Sequence, residues 1–286
     1  LGLLPITLQQ AASASYDAII NGLVFLFVAL CFHCQSTQVL HKKQLIPTGV
    51  LAIFVAVIKG GVYLPLLFLL ILCFHHRSSG MYPARKRKLL LGSVLAFVLL
   101  AALALVKFMP VFHDFLTSAA AVDKENSLYT IPYVLQHPLH TVYLLWNTLM
   151  KCGDDLVRGL LGGMLSWLDF QMNWIFIILL LICLLLLINV NDDNKRLSRK
   201  AQLVISGSCL LSTLLIMLSM LVGYTKMKWN YIQGLQGRYF LPLAPAIFPL
   251  LTTKMLSVNA KQASRTWMVL IGTEIILVLQ IATMIL

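Results

Sequence analysis

The sequence predicts an all-α, polytopic membrane protein with about eight transmembrane helices and an amphipathic segment on the outer face. Three observations carry this. Of 286 residues, 59% are hydrophobic and only 11% charged, against about 25% charged in soluble domains. The apolar residues fall in long runs, and about 20 in a row carry a helix across the hydrocarbon core. Most of the 22 Lys and Arg fall in the segments read as cytoplasmic, and most of the 10 Asp and Glu in those read as outer, as expected when basic loops stay cytoplasmic. The formal charge of +12 thus reflects topology and gives no reason to expect nucleic acid.

The elements follow in order. Residues 1–15 contain Pro5 and several polar residues, and read as the end of a helix plus an outer turn. Residues 16–33 form the first clear span, followed by a loop at 34–45 with Lys42 and Lys43. The run 46–74 is too long for one span, and Lys59-Gly60-Gly61 divides it. A single helix would put Arg77, Arg85, Lys86, Arg87 and Lys88 outside, against the positive-inside rule. Two short helices, with Lys59 at the outer tip, return that loop to the cytoplasm. Residues 89–108 cross outward, and 109–173 form an extracytoplasmic segment with interfacial helices. In it, Val142, Trp146, Leu149 and Leu156 recur at helical spacing. Spans at 174–190, 202–222, 238–256 and 267–286 complete the eight. The whole, 1–286, reads as one integral membrane domain. Because it starts at Leu1 within an apolar segment, a fragment lacking its N-terminal part is expected.

The stretch from Lys226 to Pro245 organises the outer face. Arg238 and Tyr239 follow a Gly-rich turn at the mouth of an apolar run. An arginine at that depth needs a partner, and its planar guanidinium suits a phosphate or carboxylate. Two readings stand: Arg238 binds a lipid-linked phosphate, or Arg238, Tyr239 and Trp229 anchor the chain at headgroup level. Asp17, after Tyr16, orients a substrate or cation, or else serves the first helical turn, where Ser15 and Asp17 are good residues; the second is favoured. Lys59 either meets a phosphate as a point charge or snorkels to the surface. Asp169 follows a Gly-Gly turn and a Trp, and could equally cap the next helix. Glu274 lies within the last span, unlike a surface site. Asp154 and Asp155 diverge on a helix and read as a solvated face. Cys31 and Cys34 have CxxC spacing without the second pair a zinc site needs. His137 and His140 amount to half a metal site. Cys152 alone falls outside, so no disulfide is expected there. No metal site is assigned.

Several pieces together resemble a bacterial family of multi-pass membrane proteins, domain of unknown function 2142. They are LGLLPITLQQAASASYDA (1–18), KGGVYLPLLFLL (59–70), YVLQHPLHTVYLLWNTL (133–149), LLGGMLSWLDF (160–170) and IQGLQGRYFLPLAP (232–245). The resemblance implies a fold similar to the GT-C superfamily, in a bacterial cell membrane with its active face extracytoplasmic. It implies a glycosyltransferase that passes sugar from a polyprenyl-phosphate carrier to a glycan or polymer acceptor. The catalytic carboxylate of such folds lies in the first outer loop. The resemblance implies that this chain starts downstream of that loop, so no catalytic residue is assigned. Arg238, Lys59, Tyr239, Asp17, Tyr16 and Asp169 remain as candidates for substrate or lipid-phosphate binding. The cofactor is left open, a divalent cation being compatible, and membrane lipids are the expected surroundings. A lipid-linked glycan flippase or a non-catalytic scaffold are the competing functions.

Overall fold

The computed structural model describes residues 1–2, 4–13, 15–36, 42–74, 127–165, 170–171, 173–189, 197–252, 264, 266–272 and 275. The expected span 89–108, most of 267–286, the basic segment 77–88, Asp169 and Glu274 lie outside the described residues. The described elements are helical apart from one antiparallel pairing of two-residue strands, β1 (Met164–Leu165) and β2 (Phe170–Gln171). The α-helices are α1 (Pro5–Ala12), α2 (Tyr16–Ser36), α3 (Lys42–Val57), α4 (Leu70–Phe74), α5 (Ile131–Gln136), α6 (Pro138–Leu161), α7 (Trp174–Ile188), α8 (Arg199–Tyr224) and α9 (Ala244–Ile247). Two of them, over Tyr16–Gln35 and Arg199–Tyr224, are long and apolar enough to cross a membrane. Ile46–Gly61, Leu64–Cys73 and Trp174–Ile188 are shorter apolar helical stretches.

The chain divides into two compact units. The first comprises Leu1–Gly22, Asp154–Gln202 and Gln236–Leu286. Pro5 starts α1 where its missing N–H costs nothing. Pro5 and Ile6 lie on Gly162, whose φ of +92° and lack of a side chain both matter: a Cβ there would come within 2.7 Å of the Ile6 amide nitrogen. Gln10 of α1 accepts a hydrogen bond from Asn21 of α2, and both side chains are buried. Asn173 caps α7 by accepting from the Ile175 N–H at 3.0 Å. The expected span 238–256 needs correction. Residues 237–251 form a 3₁₀ stretch (Gly237–Leu243), the four-residue α9 and another 3₁₀ stretch (Phe248–Leu251). Pro242, Pro245 and Pro249 each remove an amide donor, so the i→i−4 ladder cannot run through.

The second unit comprises Leu23–Gly153 and Leu203–Leu235. Its centre holds Phe27 and Val28 of α2, Val55 of α3, Tyr63, Leu66 and Leu67, Leu144 of α6, and Ile205 and Leu221 of α8, all buried. The run 46–74 is divided as expected. Lys59, Gly60 and Gly61 have φ of 48°, 66° and 85°, three successive left-handed residues that reverse the chain. The following 3₁₀ stretch Leu64–Leu69 packs back against α3. The first half differs from expectation in its start: α3 begins at Lys42, so Lys42 and Lys43 are helical and not in a loop.

Helix α6 is amphipathic in three directions. Thr141, Leu144 and Thr148 face inward and are buried. His140, Asn147, Lys151 and Asp154, at steps of seven, four and three residues, fall along one polar side. Leu139, Val142, Trp146, Leu149 and Met150 make a third, exposed apolar stripe. The expected helix over 140–158 is therefore present. Of its four spaced residues, Val142, Trp146 and Leu149 are on the exposed stripe, and Leu156 is buried.

Candidate functional site

The first unit holds a basic site built on a glycine contact. Gly237 lies on the backbone of α6, where a Cβ would run into the Leu156 carbonyl oxygen and the Leu160 amide. A Cβ on Gly159 would in turn lie 3.1 Å from the Gly237 nitrogen and 3.9 Å from that of Arg238. This contact brings the backbone of Arg238 beside Gly159, next in chain to Arg158. Arg158 pairs with Asp154 at 3.3 Å, one helical turn earlier. Its guanidinium carbon also sits 4.7 Å from the ring centre of Trp174 on α7, within cation–π range. The Arg238 guanidinium carbon lies 5.7 Å from the Tyr239 ring centre. Among the described residues, the Nε of Arg158 and the Nε of Arg238 are buried without a hydrogen-bond partner. Each of the two arginines, on backbone segments that meet at Gly159 and Gly237, thus keeps a buried donor suited to an oxyanion.

The other candidates of this unit stand apart in character. Tyr16 is exposed at the start of α2, whereas Asp17 is buried. Ser15 performs the capping, its hydroxyl oxygen accepting from the Asp17 N–H at 3.2 Å. Lys59 belongs to the second unit, where it is half-buried at the left-handed turn. Arg158 is the residue that sequence reasoning missed. Its signal was faint: one arginine on a helix next to two aspartates.

In the second unit the segment 225–235 is stapled in place. Thr148 Oγ1 accepts from the Ile232 N–H at 2.8 Å and Thr225 Oγ1 from the Gln233 N–H at 3.1 Å. Lys151 donates to the Asn230 side-chain oxygen at 3.0 Å and lies over the Tyr231 ring at 4.9 Å. Leu128 and Lys226 form an antiparallel bridge, and Tyr129 Oη donates to the Trp229 carbonyl at 3.0 Å. Burial pushes the Tyr129 phenol pKa up, with Tyr133 adding to the effect. His137 and His140 are ring neighbours of Tyr133, 4.5 and 5.9 Å between centres, and Tyr133 Oη is 3.3 Å from His140 Nδ1. The pair thus belongs to an aromatic cluster. Among the described residues no group of three His, Cys, Asp or Glu is placed to hold a metal. Cys31, Cys34 and Cys73 are buried, Cys73 Sγ lying 3.8 Å from the Cys31 carbonyl, and neither they nor Cys152 form a disulfide.

A family model described as predicted membrane protein, DUF2142, matches residues 1–247, most of the chain. The protein belongs to this family. The match runs through the Gly159–Gly237 contact, both arginines and the Lys59 turn, and stops at the end of α9. No curated protein matches the chain, and no solved structure matches it. Membership establishes a membrane protein and leaves its chemistry to be argued from the site.

Proposed function

We propose that the protein is part of an extracytoplasmic glycosyltransferase of GT-C type. In this reading it crosses a bacterial cell membrane about eight times and uses a polyprenyl-phosphate-linked sugar to build or modify a cell-envelope glycan. The observation that supports it is the arginine pair of the first unit, Arg158 and Arg238, with buried Nε donors that lack partners among the described residues. When sugar leaves a polyprenyl phosphate, negative charge grows on the departing phosphate. Fixed guanidinium donors in a low-dielectric setting stabilise that charge more in the transition state than in the ground state. Arg238 is the bidentate donor in this reading, and Arg158, tied to Asp154, sets the local potential. The general base is assigned to none of the residues of this chain.

The test is transfer of radiolabelled sugar from a polyprenyl-phosphate donor by the full-length protein. Arg238→Lys keeps the charge and loses the fork, so transfer should fall at least tenfold with folded yield unchanged. Undiminished transfer by the lysine variant removes the phosphate role, and no transfer by the unaltered protein removes the enzyme reading. The competing reading, a flippase for a lipid-linked glycan, asks for helices broken near the bilayer midplane, whereas the break at Lys59–Gly61 is an outer tip in this topology.

A further inference from the structure

The second unit contains a cavity of about 350 Å³ between the Gly60–Gly61 turn, α5 and the last part of α8. We propose that it holds part of one acyl chain of an anionic phospholipid, with the headgroup on the side of Lys59. This goes beyond the transferase reading and does not depend on it.

The walls set the chemistry of the occupant. The side chains from α5 and α8 are aliphatic, among them Val134, Leu135 and Leu218. Ser219 alone contributes a hydroxyl, and it already donates to the Ile216 carbonyl of its own helix at 2.9 Å. A sugar or a water cluster entering this space would find, among the described wall side chains, only the acceptor lone pairs of that one hydroxyl. Polar cavities fill with water that makes two to four hydrogen bonds, whereas apolar ones stay dry or take apolar guests. At roughly 30 Å³ per water-sized group, the space holds about a dozen such groups. That suits a stretch of one hydrocarbon chain and is too small for a whole lipid.

The position sets the source. Leu215 to Val222 are the last turns of α8, a helix long and apolar enough to cross a membrane and ending at Tyr224. A cavity at that level is within reach of a chain whose headgroup stays at the membrane surface. Lys59 directly precedes the wall residue Gly60 and has a φ of 48°. Glycine takes that conformation freely, and a lysine held there keeps an ammonium on the residue beside the cavity. Nothing in the aliphatic lining selects a branched prenyl chain over a straight one. Mass action therefore favours the abundant phospholipid of matching charge.

The experiment is native mass spectrometry of the full chain in detergent, titrated with phosphatidylglycerol, phosphatidylcholine or a polyprenyl phosphate. One phosphatidylglycerol should remain bound, in preference to phosphatidylcholine. Ser219→Phe fills the cavity and should lower that retention at least tenfold; Ser219→Leu, a smaller filling, should lower it severalfold. Lys59→Gln should bring the two phospholipids to near parity. Undiminished retention by both serine variants, with helical circular dichroism intact, overturns the cavity as the site. A preference that survives Lys59→Gln overturns the role of the charge. Polyprenyl phosphate retained over phosphatidylglycerol overturns the source. Sugar transfer is measured separately, so its failure leaves these outcomes legible.

Discussion

Gly237 rests against Gly159 with no side chain between the two backbones, and a Cβ on Gly159 would stand 3.1 Å from the Gly237 nitrogen. The contact is more severe from the other side, where a Cβ on Gly237 meets backbone atoms of Leu156 and Leu160 that cannot rotate away. Gly237→Ala should therefore destabilise by about 1–3 kcal/mol, the range for overpacking. Gly159→Ala should cost less, since its neighbours need give only a few tenths of an ångström. Melting temperatures in detergent check the order. A Gly237→Ala protein as stable as the parent would refute the close contact.

Thr148 offers a second test, on a hydrogen bond. Its hydroxyl donates to the Leu144 carbonyl at 2.6 Å and accepts from the Ile232 N–H at 2.8 Å. Thr148→Val keeps the shape and strands a buried donor, at about 1–3 kcal/mol. Thr148→Ser should retain most of the stability. Hydrogen exchange at the Ile232 amide reads the effect locally: protection should drop in the valine variant and persist in the serine variant.

Lys59 should respond in the opposite sense. A non-glycine residue in the left-handed region costs about 1–2 kcal/mol, and glycine's extra freedom in the unfolded chain returns about 0.5–1. Lys59→Gly should thus raise stability by roughly 0.5–1 kcal/mol. A lower melting temperature would mean that the lysine side chain contributes more than its backbone costs.

Topology is tested by cysteine labelling in a Cys152→Ser background. Introduced cysteines at 228 and 143 should react with an impermeant reagent from outside, and cysteines at 80 and 200 should not. Reaction at 80 from outside would overturn the cytoplasmic placement of 77–88.

The parts legible in the sequence were those governed by short-range rules. Lys59-Gly60-Gly61 inside an apolar run, followed by basic residues, announces a reversal, and the chain does reverse there. The spacing of Val142, Trp146 and Leu149 announces an amphipathic helix, and α6 is one. The interruption at 237–251 was misread because hydropathy counts proline-rich and regular apolar runs alike, although Pro242, Pro245 and Pro249 were in plain view. Arg158 stayed hidden for a different reason. Its guanidinium meets Trp174, a partner on another helix. The cavity likewise draws its walls from three separate segments, so no local pattern reports it.

The three-sided character of α6 has a consequence for how its sequence can drift. Positions such as Leu144 and Thr148 are judged on shape and bonding, since neighbours enclose them. Lys151 and Asp154, on the polar side, are judged on charge. Leu139, Val142 and Trp146, all exposed, are judged on polarity alone: aliphatic and aromatic residues should exchange freely there, and a single charge should not. A saturation scan of this one helix would then trace three separate waves of tolerance, each with a period of about 3.6 residues and each about a quarter to a half turn out of phase with the next.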